Sequence, residues 1–257
     1  ALAAIQKQGR ASYDPSIHGA TNYGVDSQGN QSFDFGGGFG IGSDGLILIN
    51  PSKNTDFEML YFNSDGNLGS MCGNGARCSV KFAQNNKIVS DKTLFNAFDG
   101  NHRANIHNNI VSLSMKDVSD IKTFGEDLFL DTGSPHYVKI VKNLENFDVY
   151  NEGKLIRNSN EFFKHGVNVN FVKIISEKEF EVRTFERGVE DETLSCGTGV
   201  TAVALSMHYL NKTLLNNLKI KTKGGVLDVK FIQNNKKYEK IILSGNVELI
   251  FEGEIDM

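Results

Sequence analysis

The sequence predicts an α/β (α+β) protein of two pseudo-symmetric domains. Each is expected to be a curved mixed or antiparallel β-sheet, or barrel, wrapped around a central helix, with the active site in the cleft between them. Three observations carry this expectation. The chain repeats itself once, at an offset of about 124 residues. Each copy runs from β-branched and alternating strands, through a Cys-Gly-x-Gly segment, into an apolar helix. A period this long is a whole domain, because solenoid repeats span only about 20–45 residues.

The elements follow in order. "GIGSDGLILI" (40–49) parallels "GVNVNFVKII" (166–175), and each ends in a β-branched run that reads as a strand. "DFEMLYFN" (56–63) and "EFEVRTFE" (179–186) share an acidic residue, Phe, Glu, an apolar residue and a later Phe in register. Polar turns follow, "NSDGNLGS" and "ERGVEDETLS", and then "CGNG" from Cys72 and "CGTG" from Cys196. The helices "ARCSVKFAQ" and "VTAVALSMHYL" carry apolar residues on a broad face and are expected to be well buried. Short strands close each copy: "DGNHRANI" (99–106) with "KGGVLDVK" (223–230), and "IVSLSM" with "KIILSG". The polar, acidic stretch 117–131 reads as the link. The expected domains are 1–118 plus 245–257, carrying Cys72, and 119–244, carrying Cys196.

Composition excludes several classes. A net charge of −4 with no basic cluster argues against nucleic-acid binding. No run approaches the ~18 apolar residues of a membrane span, and the opening "ALAAIQKQGR" lacks the apolar core of a signal peptide. Three cysteines do not make a disulfide framework, and no C-x-x-C pair suggests a metal site. Cys78 reads as a buried small hydrophobe.

The paired cysteine frames carry the chemistry. Glycine after cysteine lets the backbone approach a ligand closely. A helix start offers N–H groups that lack helical acceptors, together with the positive end of the dipole. That is a site for a carboxylate or phosphate, and the same field favours a thiolate over a thiol. Two such cysteines related by a two-fold would face one bound molecule from opposite sides. One thiolate would remove a proton from carbon while the opposite thiol donates one to the other face. The outcome is inversion of a stereocentre, with no cofactor needed for the proton traffic.

These stretches, with "TGSPHYV", "RTFERGVEDETLSCGTGVTAVA" and "EGEI", resemble the diaminopimelate epimerase family of cofactor-independent amino-acid epimerases. The likeness runs from about residue 39 to the C-terminus. It implies that Cys72 and Cys196 are the acid/base pair and that backbone N–H groups of Gly73, Asn74, Gly197 and Thr198 hold the α-carboxylate. Arg187 offers a fork for a second carboxylate, Glu186 can take the far ammonium, and Asn63 and Asn168 can fix a zwitterion without adding charge. His136, with Glu186 as counterpart, resembles a family histidine that tunes the cysteines. The implied substrate is a diamino dicarboxylic acid, with no cofactor or metal, in a cytoplasmic homodimer.

Two departures stand out. Residues 1–38 lack the family's G-x-G-N-D-F opening, and Ser134 stands where many members have Asn. Two other readings are weighed. A proline or hydroxyproline racemase would carry His in place of Asn74 and would need no Arg187 clamp. A catalytically impaired homologue that binds an amino acid draws on the atypical first 38 residues and is opposed by intact Cys72, Cys196, Glu186 and Arg187. If the cysteines face each other closely, oxidation would join them, which points to a reducing compartment.

Overall fold

A computed structural model describes residues 2–7, 10–11, 22–25, 31–34, 45–63, 66–235 and 237–249. The chain divides into two compact units, Ala1–Leu113 with Asn246–Met257, and Ser114–Gly245.

The first unit contains β1 (Leu2–Lys7), β2 (Arg10–Ala11), β3 (Asn22–Val25), β4 (Gln31–Asp34), β5 (Gly45–Asn50), β6 (Phe57–Asn63), α1 (Gly73–Asn85), β7 (Lys92–Ala97), β8 (Gly100–His107) and β9 (Ile110–Ser114, whose last residue falls in the second unit). Its sheet runs β2-β1-β5-β6-β7-β8-β9, with β3 and β4 paired separately. Every pair is antiparallel except β6 with β7, which are parallel and joined through α1. α1 packs on β1, β2, β5, β6 and β8. Burial alternates along β8, where His102, Ala104 and Ile106 point inward, as the period of two requires. Phe57 and Phe95 stack across the parallel pair with ring centroids 5.0 Å apart.

The second unit contains β10 (Ile121–Phe124), β11 (Asp127–Asp131), β12 (Pro135–Ile140), α2 (Val149–Arg157), β13 (Asn168–Ile174), β14 (Glu179–Glu186), β15 (Asp191–Thr193), α3 (Gly197–Tyr209), β16 (Asn217–Thr222), β17 (Gly225–Asn234) and β18 (Lys237–Asn246, which reaches one residue into the first unit). The order is β10-β11-β12-β13-β14-β16-β17-β18, with β15 on β14. β14 and β16 are parallel and joined through α3, which repeats the β6–α1–β7 arrangement of the first unit. α1 and α3 each have 13 residues and start at Gly73 and Gly197, 124 positions apart. The fold is the repeated, sheet-dominated α/β architecture the sequence predicts.

α3 is buried continuously from Gly197 to Met207. A helix apolar all round belongs inside a core, and α3 packs on β11, β12, β13, β14, β16 and β17. The sheet is two-sided here. Val169, Phe171 and Phe185 join Val149 of α2 in a core on one side. Alternation turns Asn168, Asn170 and Thr184 to the other, where Asn170 and Thr184 are register partners.

Two local expectations need correction. Residues 117–131 are not simply a link: β10 and β11 form a hairpin there, with Gly125 at φ +64 in the turn. Leu128 and Leu130 are fully buried, and the flanking acidic residues obscure that alternation in the sequence. The turn after Glu186 also carries β15. Sequence patterning gives no sign of α2, because Gly153 interrupts it. That glycine lies against Phe185, where an added Cβ would clash with the Phe185 Cβ. Cys78 is fully buried and burial pushes its thiol up to about 12, the inert state expected of it. Among the described residues no helix is long and apolar enough to cross a membrane.

Candidate active site

In the first unit the site begins at Cys72. Its extended backbone (φ −109°, ψ 108°) ends the approach segment, and α1 starts at the next residue. Cys72 occupies the position usually held by Ser, Thr, Asp or Asn, and its Sγ accepts the Gly75 N–H at 3.3 Å. The Gly73 and Asn74 N–H groups precede the first residue that can bond within the helix, since Ala76 N donates to Cys72 O at 2.8 Å. No acidic side chain occupies the first turn, so the dipole's positive end is not neutralised there.

Arg77, which motif reasoning passes over, reinforces this field. It is buried and bends back along its own helix to donate to Gly73 O at 3.1 Å and Asn74 Oδ1 at 2.9 Å. Among the described residues its Nε has no hydrogen-bond partner. Burial lowers its pKa while the neighbouring Cys78 and Cys72 pull the other way. A guanidinium stays charged in proteins, so this helix start is strongly electropositive. Asn63 ends β6, but its side chain lies outside the described residues, as do residues 35–44 and most of the atypical opening.

In the second unit Cys196 takes the equivalent place before α3 (φ −122°, ψ 112°), again with no acidic residue in the first turn. It makes no capping bond. Its Sγ instead lies 3.4 Å from Thr198 Oγ1, whose oxygen is 2.8 Å from His136 Nε2. The Thr132 hydroxyl donates to Thr198 O at 2.8 Å and fixes this first turn from below. His136 is fully buried, and burial, then the charge of Arg187, pushes it down to about 3. The ring is therefore neutral at ordinary pH.

The remaining candidates of this unit meet beside it. Asn168 Nδ2 donates to Ser134 Oγ at 2.9 Å and to Pro135 O at 3.0 Å, while its Oδ1 accepts the Arg187 N–H at 2.8 Å. Its amide thus sets the ends of β12 and β14 relative to one another, and Ser134, having accepted, retains a hydroxyl proton to give. Glu186 Oε2 accepts from Thr193 Oγ1 at 2.9 Å, which orients the carboxylate. Arg187 Nη1 donates to His165 O at 2.9 Å. Gly166, at φ +71, leaves room for two guanidiniums: a Cβ there would meet Arg187 Cδ at 2.6 Å and Arg157 Cζ at 2.9 Å. Burial, then repulsion from Arg157, lowers the Arg187 pKa, opposed by Asp131 and Glu190. Arg157 is itself paired with Glu190 Oε1 at 3.2 Å. β15 is held on β14 by a bidentate pair, Arg183 with Glu192 at 2.7 and 2.6 Å, four residues before Cys196.

The structure therefore gathers His136, Asn168, Glu186, Arg187, Cys196, Gly197 and Thr198 in one unit, and Cys72, Gly73 and Asn74 in the other. Residues missed in the sequence are Arg77, Arg157, Asn170, Thr132, Thr184 and the Thr198 hydroxyl. Arg77 had a usable signal, being the one charged residue in the first two turns of α1. Among the described residues no group of three or more His, Cys, Asp or Glu is arranged to hold a metal.

Comparison with known proteins follows the same lines. The family model described as diaminopimelate epimerase matches residues 35–118 and 128–250. A diaminopimelate epimerase of Flavobacterium psychrophilum is 51% identical over 218 residues, covering 84% of this chain and 85% of that one. One from Aquifex aeolicus is 40% identical over 229 residues, covering 84% and 81%. Among solved structures, a Bacillus anthracis phenazine biosynthesis protein of the PhzF family superposes with a TM-score of 0.64 at 14% identity, over 81% of this chain and 84% of that one. A hydroxyproline epimerase of Agrobacterium vitis gives 0.61 at 12% identity, over 80% and 74%. At such identities the likeness shows the fold alone.

Proposed function

We propose, from the premise that this chain belongs to the diaminopimelate epimerase family, that it is an isomerase interconverting LL- and meso-diaminopimelate. The reaction serves lysine and peptidoglycan precursor synthesis and needs no cofactor. The observation that carries the reading is the repeated helix start: a cysteine immediately precedes α1 in one unit and α3 in the other, with glycines following and no acid in either first turn.

In this reading Cys72 and Cys196 act on opposite faces of the substrate α-carbon. One, as thiolate, removes the hydrogen as a proton, and the other, as thiol, supplies a proton to the opposite face. The α-carboxylate lies against the N–H groups of Gly73, Asn74, Gly197 and Thr198. Negative charge that builds on the carboxylate as the C–H bond breaks meets donors already in place. The pair holds one proton between them, so its titration belongs to both sulfurs. Arg187 binds the distal carboxylate, Glu186 the distal ammonium, and Asn63 and Asn168 complete the zwitterion's contacts. His136 tunes the cysteines as a neutral group. The expected working form is a homodimer in the cytosol, a compartment supported by three free cysteines.

The test is solvent exchange. In heavy water the protein should place deuterium on the α-carbon of meso-diaminopimelate, followed by NMR. Cys72→Ala and Cys196→Ala should each reduce interconversion by about a hundred- to ten-thousandfold, the scale of losing an acid/base group. Exchange with proline instead of diaminopimelate, or with neither, would overturn the reading.

A further inference from the structure

A row of buried polar side chains crosses three adjacent strands under the start of α3: His136 on β12, Asn170 on β13 and Thr184 on β14. Its hydrogen-bond directions follow from which atoms can only accept. Asn170 Nδ2 lies 2.9 Å from Tyr137 O. A carbonyl oxygen cannot donate, so the nitrogen of the amide faces this way. The same Nδ2 lies 3.1 Å from His136 Nδ1, and its second hydrogen points there. Thr184 Oγ1 donates to the opposite end of the amide, Oδ1, at 3.0 Å.

His136 Nδ1 is therefore an acceptor and carries no hydrogen. A neutral ring must then hold its single hydrogen on Nε2, 2.8 Å from Thr198 Oγ1. Having accepted from histidine, the Thr198 hydroxyl has its own hydrogen left to give, and Cys196 Sγ lies 3.4 Å away. A donor aimed at sulfur favours thiolate over thiol.

We infer that Asn170 is a positioning residue: it locks His136 as the Nε2–H tautomer, so that the Thr198 hydroxyl is turned toward Cys196 and favours the thiolate there. This rests on the reading of Cys196 as an acid/base group. The register explains why Asn170 can do it. Val138 is its strand partner, so its amide reaches diagonally to His136 on the same face.

The test is ¹⁵N NMR of histidine-labelled protein at neutral pH, with His136 assigned by its absence in His136→Gln. Two-bond correlations should show Nε2 protonated and Nδ1 unprotonated in a single tautomer. A protonated Nδ1, or averaging of the two nitrogens, overturns the inference without any variant. In Asn170→Leu the tautomer should become mixed or reversed, and kcat should fall about tenfold or more while KM stays within about twofold. Adding Asn170→Leu to Thr198→Val should lower kcat little further, since both remove one relay. Fully multiplicative losses, or an Asn170→Leu protein with the original tautomer and kcat, refute it. The spectrum needs no substrate, so a protein with this tautomer but no action on diaminopimelate would fail the proposed function alone.

Discussion

Gly199→Ala tests the packing beneath Cys196 most directly, because helix propensity and tertiary structure predict opposite signs. Alanine is favoured over glycine in a helix by about 1 kcal/mol, so local reasoning expects stabilisation. In the structure a Cβ at residue 199 would stand 2.5 Å from Asn170 Oδ1, 3.3 Å from His136 Cε1 and 3.4 Å from Cys196 Cβ. The amide oxygen would have to retreat by about 0.9 Å to reach ordinary contact. It has little freedom to do so. Asn170 is fully buried and is held by His136, Tyr137 and Thr184. Overpacking costs about 1–3 kcal/mol, and a buried polar group left unpaired costs about 1–3 kcal/mol more. Against the propensity gain, a net loss of about 1–5 kcal/mol is expected. Urea denaturation at neutral pH measures it, with no change in the slope. The variant's kcat should fall about tenfold or more, because the relay to Cys196 is displaced with Asn170. A Gly199→Ala protein as stable and as active as the parent would refute this account of the second glycine in "CGTG".

His136 makes stability depend on pH. Its pKa is about 3 when folded and about 6.5 when unfolded, so between those values the unfolded chain binds more protons. Its contribution is complete above pH 6.5 and is lost as pH falls toward about 3. By pH 5 the loss is about 2 kcal/mol, read as the difference between parent and His136→Gln in urea denaturation at pH 8 and pH 5. Parallel pH dependence in the two proteins would contradict it. Gly153→Ala should also destabilise despite better helix propensity, by about 1–3 kcal/mol, since a methyl there meets the buried Phe185. A calorimetric Tm equal to or above the parent's would count against that packing.

Much of the site is legible in the chain because its signals are local. Cysteine followed by Gly-x-Gly and an apolar run announces a helix start, and both starts appear where the pattern puts them. "ERG" after an alternating strand likewise places Glu186 and Arg187 at the end of β14. The α2 helix was not legible, since a central glycine reads as a break until the ring of Phe185 is seen against it. Nor was the hairpin in 117–131, whose two buried leucines sit between acids.

The amino-acid order by itself determined the duplication, the two helix starts that follow a cysteine and the positive field at each, because backbone geometry within one turn produces them wherever the chain is placed. Only tertiary structure decided which way the hydrogens run behind Cys196. Asn170 and His136 are 34 residues apart, and His136 and Thr198 are 62 apart. Their meeting depends on the register of β12, β13 and β14 and on how closely Gly199 lets α3 approach that sheet. A one-residue slip would turn the whole row to the opposite face, and no local pattern records that alignment.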